Sequence, residues 1–186
     1  MKSPENSYIQ NLDKQPPPEV INQSLGLKAE DVVIDFLREH FPDIKVRLST
    51  AKEDSGLDQI EKGERIDTVA YLENKPVMVM QITTTGSSRV KGEKLSQLKE
   101  NPFVHLDEMK PKDGYIPRIL IGLDHARIQS FLHNPDFASH PEILDDIMRG
   151  IVNSLNFDLI MTRNPVEQNR VKTLLNLFET KKASQN

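Results

Sequence analysis

The stretch Val77-Met78-Val79-Met80-Gln81-Ile82 constrains this chain more than any other, because it stays apolar at successive positions until Gln81. A strand with one wet face alternates apolar and polar side chains. An unbroken apolar run needs cover on both faces, which is the situation of a central strand in a layered α/β domain. The preceding run, Ile66 to Leu72, reads as its hairpin partner, joined through Glu73-Asn74-Lys75-Pro76.

Other elements fall into place around this pair. Ala29, Val32, Val33, Phe36 and Leu37 recur at helical spacing within Leu27 to Phe41, after Gly26 and before Pro42. Ile44 to Thr50 alternates and predicts a half-buried strand, and the polar residues 51–64 predict a loop. Ser87 or Ser88 is placed to cap a helix running to about Lys99, and Tyr115 to Leu123 is a further apolar strand. Pro141 opens the strongest helical stripe, Ile143, Leu144, Ile147, Met148, Ile151, Val152 and Leu155. Phe157 to Met161 is expected as a short strand, and Asn164-Pro165 starts a last helix. The order helix, three strands, helix, strand, helix predicts an α/β fold with a mixed central sheet flanked by helices.

The expected organisation is a flexible leader over 1–25, with polyproline II at Pro16-Pro17-Pro18, and one α/β domain over 26–182. Within that domain the core is expected over 26–125 and a helical extension over 126–182; residues 183–186 are expected as a frayed tail. No apolar run of roughly 20 residues is present to span a bilayer, and the first residues lack the apolar core of a secretory signal. A cytoplasmic protein without a membrane partner is the expectation. With 0 cysteines, disulfides, thiolate metal sites and a cysteine nucleophile are excluded, which leaves His and oxygen donors for any metal. A net charge of -4 excludes a protein that coats polyanions by bulk charge, while a local basic patch stays open.

The polar residues inside the apolar frame carry the chemical information. Asp67 sits near the start of one hairpin strand, with Gln81 and Thr83 at the far end of the other. Parity decides whether they meet. An odd hairpin loop, such as Glu73, Asn74 and Lys75, sets Asp67 opposite Gln81, with Thr83 one step further on the same face. An even loop turns Asp67 toward Ile82 and dissolves the group unless a bulge restores it.

These residues resemble the PD-(D/E)XK nucleases, the restriction-endonuclease-like superfamily, whose core order is αβββαβ. Gly26-Leu27-Lys28-Ala29-Glu30 looks like the first helix, which often carries a Glu facing the site. Gly63-Glu64-Arg65-Ile66-Asp67 looks like the approach to the metal-binding Asp, and Val79-Met80-Gln81-Ile82-Thr83 occupies the place of the E-x-K strand in a Gln form. The resemblance covers roughly residues 26–125. It implies Mg²⁺ (or Mn²⁺) held by Asp67, Gln81 and the backbone carbonyl of Ile82, with Glu30 assisting. The implied reaction is phosphodiester hydrolysis of DNA or RNA, and many relatives dimerise, so a homodimer is also implied. The metal would activate water and offset the charge growing on phosphorus.

The chain departs from that pattern twice. Gln81 offers an oxygen without charge, and Thr83 stands where the family has its lysine. Some members have a lysine on the following helix, which makes Lys94 the first substitute and Lys91 the second. Each residue also has a plainer role: Glu30 suits a helix N-terminal turn, Asp67 a strand edge, and Lys91 and Lys94 a solvated helix face. The runner-up function is therefore an inactive nuclease-like fold that binds nucleic acid or a protein. His125, His133 and His140 lack ligand spacing, and Phe131 and Phe137 read as core or cap residues.

Overall fold

A computed structural model describes residues 18–48, 66–84, 95–96, 98–106, 109–110 and 114–184. In chain order it contains α1 (Pro18–His40), β1 (Ile44–Leu48), β2 (Thr68–Leu72), β3 (Lys75–Thr84), β4 (Phe103–Val104) and β5 (Ile116–Leu123). These are followed by α2 (His125–His133), a 3₁₀ turn (Phe137–Ser139), α3 (Pro141–Met161) and α4 (Pro165–Ser184). Residues 95–96 and 98–100 are also helical.

The sheet order is β1-β2-β3-β5-β4. The first three strands form an antiparallel meander, and β5 then lies parallel to β3, so the sheet is mixed and β3 is interior. Along β3 the cover alternates as the sequence demands. Met78, Met80 and Ile82 join the large core built with α1, α2, α3 and α4, while Val79 joins a second cluster with Ile66, Val69, Val104, Leu106, Met109 and Ile116. The two apolar faces of that strand thus have two separate destinations.

Several boundaries differ from the sequence expectation, each for a physical reason. α1 begins at Pro18 rather than Leu27, because proline has no N–H to waste in a first helical turn and its fixed φ suits that position. Leu25, in the region expected as a leader, is buried in the core. Phe157 to Met161 is the last stretch of α3, not a strand. The helical period set by Ile147, Ile151 and Leu155 runs straight through it, and nothing interrupts the helix before Thr162. α4 continues to Ser184, past the tail expected from residue 183. β4 and α2 are additional elements; β4 pairs only Phe103 with Pro117 and Val104 with Ile116. Among the described residues no helix is long and apolar enough to cross a membrane.

α3 packs against β5 past the two residues that pair with the short β4. A Cβ placed on Gly150 would sit 3.0 Å from the Leu120 carbonyl oxygen and 3.1 Å from the Ile121 Cα, so only glycine admits this approach of helix to strand. One turn on, Ser154 Oγ accepts a hydrogen bond from the Leu120 N–H at 3.0 Å. A side chain thereby satisfies a strand donor that the short β4 leaves without a ladder partner. Phe131 and Phe137 are buried side by side, centroids 4.7 Å apart, with Phe137 against Phe36, which confirms them as packing residues.

Candidate metal centre at the end of β3

The β2–β3 hairpin turns on two residues, because Leu72 pairs with Lys75. Glu73 (φ 52°) and Asn74 (φ 61°) both occupy the left-handed region, the form that a two-residue type I′ turn requires and that matches strand twist. An even loop alone would break the alignment of the polar residues. The pairing shifts between Ala70 and Tyr71, however: Tyr71 pairs with Pro76 and Ala70 with Met78, which leaves Val77 as an extra residue. This bulge resets the register so that Thr68 pairs with Met80. The next residues outward are Asp67 on one strand and Gln81 on the other.

Backbone geometry then fixes the Asp67 carboxylate. The Asp67 N–H donates to the Met80 carbonyl at 3.1 Å, so the polar backbone groups of Met80 point toward β2. Two residues on, those of Ile82 point the same way, past the end of β2. Asp67 Oδ2 accepts the Ile82 N–H at 2.6 Å and so extends the ladder by one bond with a side chain. A charge-assisted bond of this kind is worth about 1.5–3 kcal/mol and meets the requirement that a buried carboxylate be partnered. Asp67, Gln81 and Thr83 are all buried, at 9%, 7% and 7% exposure. Gln81 and Thr83 follow Val79 in alternation, on the face of the smaller cluster.

The same end of the sheet gathers the C-terminus of β5, since Thr83 pairs with Gly122 and Thr84 with Leu123 in the parallel ladder. Such strand ends are where open α/β sheets present their ligand crevices. Asp124 caps α2, accepting from the Ala126 N–H at 2.9 Å and the Arg127 N–H at 3.3 Å. His125 bonds through Nε2 to the Thr84 carbonyl, tying β3 to the start of α2. Beside it a polar cleft of about 390 Å³ is lined by Gly122, Asp124, Arg127, Asp146, Arg149 and Asn153 among others. Its charges are mutually satisfied: Arg127 pairs with Asp146 at 2.5 Å, and Arg149 reaches Asp145 at 2.5 Å and Asp146 at 3.3 Å.

Of the residues singled out by sequence, Asp67, Gln81 and Ile82 are brought to one strand end. Glu30 lies half-buried on α1, next to the fully buried Ala29. Lys91 and Lys94 lie outside the described residues. His125 is the residue that spacing did not flag; it comes two residues after the end of β5, and only the β3–β5 pairing carries it to Thr84. The donors at this end are one carboxylate, one amide oxygen and the Ile82 carbonyl, which suits a hard cation that keeps several waters. Among the described residues no cluster of three His, Asp or Glu forms a denser metal cage. No protein family, curated protein or solved structure matches this chain.

Proposed function

We propose that this protein is a PD-(D/E)XK-like nuclease that hydrolyses phosphodiester bonds of DNA or RNA with Mg²⁺ or Mn²⁺. The observation that carries the reading is the bulge at Val77, which sets Thr68 opposite Met80 and so brings the Asp67 carboxylate onto the Ile82 N–H, at the end of β3 that carries Gln81. A hairpin needs no bulge for its own stability, and bulges recur where a side chain must be re-aimed. In this reading Asp67, Gln81 and the Ile82 carbonyl hold the metal. Bound there, the ion lowers the pKa of a water and offsets charge on the phosphoryl oxygens. The Ile82 N–H fixes the carboxylate in place beforehand, so less order is lost on binding. Lys94, or Lys91, supplies the positive charge that Thr83 does not. Glu30 assists from α1.

The test is cleavage of single- and double-stranded DNA and RNA in Mg²⁺ or Mn²⁺ by the wild type and by Asp67→Ala. Metal-dependent cleavage that falls at least a hundredfold in the variant supports the reading. Equal rates remove Asp67 from the mechanism.

A second reading is favoured by one specific feature: Asp67 Oδ2 already serves a backbone N–H beside a buried threonine in the lysine position. The fold would then bind nucleic acid or a protein without cutting. Calorimetry showing no Mg²⁺ or Mn²⁺ uptake, together with retained binding of an oligonucleotide, distinguishes it.

A further inference from the structure

At the opposite end of β5 the fold buries a carboxyl group that the proposed reaction does not use. Asp158 lies on the face of α3 that begins with Gly150 and Ser154, at intervals of four residues, and this face packs on β5. It is 0% exposed, and neither carboxylate oxygen has a hydrogen-bond partner among the described residues. This is an unusual site for a charge. Desolvating an ionised carboxylate without hydrogen bonds costs more than almost any other single burial, and such a group avoids the cost by keeping its proton.

The surrounding charges do not remove that cost. From β5, Arg118 is the cation whose field reaches Asp158; it is itself buried at 4% exposure. At the junction with α4, Glu167 accepts from the Thr162 hydroxyl at 2.5 Å and from the Asn164 side-chain amide at 3.4 Å. Further along α4, Arg170 donates to the Tyr115 carbonyl. From α2, Arg127 is engaged by Asp146, twelve residues earlier on α3 and so roughly 18 Å along the helix axis. The 3₁₀ turn, Phe137–Ser139, contributes no charged side chain.

We propose that Asp158 is carried in the folded protein as a neutral carboxylic acid and forms a proton-dependent latch between α3 and β5. When it ionises, the C-terminal part of α3 separates from the strand to hydrate it. Burial pushes its carboxyl up to about 8, with Arg118 pulling in the opposite direction. The sign follows from linkage. Between the unfolded value near 3.8 and the folded value near 8, the native state holds a proton that the unfolded chain has released. Stability is therefore greatest below the lower value and falls as pH rises toward the upper one.

The experiment is urea denaturation of the full chain from pH 6 to 9, comparing wild type with Asp158→Asn, which has similar shape but no proton to lose. The wild-type unfolding constant is expected to rise by close to tenfold per pH unit up to about pH 8, relative to the variant. Because both proteins share every other titrating group, their difference isolates Asp158. Amide exchange over 154–161 is expected to accelerate with pH in wild type beyond the chemical rate, and not in Asp158→Asn. Parallel stability profiles would overturn the proposal. Should the variant fail to fold, ¹³C NMR of the wild-type aspartate carboxyls decides: a resonance titrating near pH 8 supports the latch, and titration of all of them below pH 5 overturns it.

Discussion

Gly150 and Gly26 both lie within helices, and the same substitution is expected to act on them with opposite sign. Replacing a helical glycine with alanine restricts the unfolded chain and gains about 0.8–1 kcal/mol in helix propensity. At Gly26 in α1 nothing stands within 4 Å of the new Cβ, so Gly26→Ala keeps that gain. At Gly150 the methyl carbon would lie 3.0 Å from the Leu120 carbonyl oxygen and 3.1 Å from the Ile121 Cα. Ordinary contacts between carbon atoms are about 3.5–4.0 Å, so helix and strand must part by several tenths of an ångström. The obstacle is backbone of an interior strand, and it cannot rotate away as a side chain would. Moving α3 also loosens Ile147, Ile151 and Leu155, all fully buried on the same helix. Overpacking of this kind costs about 1–3 kcal/mol. Net of propensity, Gly150→Ala is destabilised by up to about 2 kcal/mol, and Gly26→Ala is stabilised by about 0.8–1 kcal/mol. Urea midpoints with unchanged m values read both effects directly. If the two variants shift the midpoint in the same direction, the close approach of α3 to β5 is not what holds Gly150 in place.

Two further substitutions test the devices that shape the sheet. Ser154→Ala removes the acceptor of the Leu120 N–H and is expected to cost about 1–2 kcal/mol, with faster exchange of the Leu120 amide; slow exchange would show that another group takes the bond. Glu73→Gly relieves a side chain held at φ 52° and is expected to raise the urea midpoint by the equivalent of about 1 kcal/mol, while a lower midpoint would contradict a strained turn.

Much of the architecture is written in local patterns. The apolar run through Ile82 predicts a strand buried on both faces, and the structure supplies a separate cluster for each. The stripe from Ile143 to Leu155 predicts a helix packed on a core, and α3 is that helix. Local reading fails where the deciding partner is remote. Phe157-Asp158-Leu159-Ile160-Met161 has strand-like apolar content, yet helix propagation from the preceding turns costs less than a new nucleus. The short β4 has no visible pattern because two residues of pairing leave no period to detect.

The candidate site divides in the same way. That Asp67, Gln81 and Thr83 are polar residues in an apolar hairpin is legible in the chain itself, since hydrophobic burial makes each of them an exception that needs a partner. Whether they meet is not. Parity depends on the number of residues in the turn and on one extra residue at Val77, both of which are settled by how β2 packs on β3. His125 reaches Thr84, and Asp158 comes into the field of Arg118, only because β5 inserts beside β3 and α3 packs against β5. Sequence thus marked Asp67, Gln81 and Thr83 as side chains that are costly to bury, because burial cost is a property of each residue and its immediate pattern. The tertiary structure alone decided their partners, because register and layer packing are set by contacts between segments far apart in the chain.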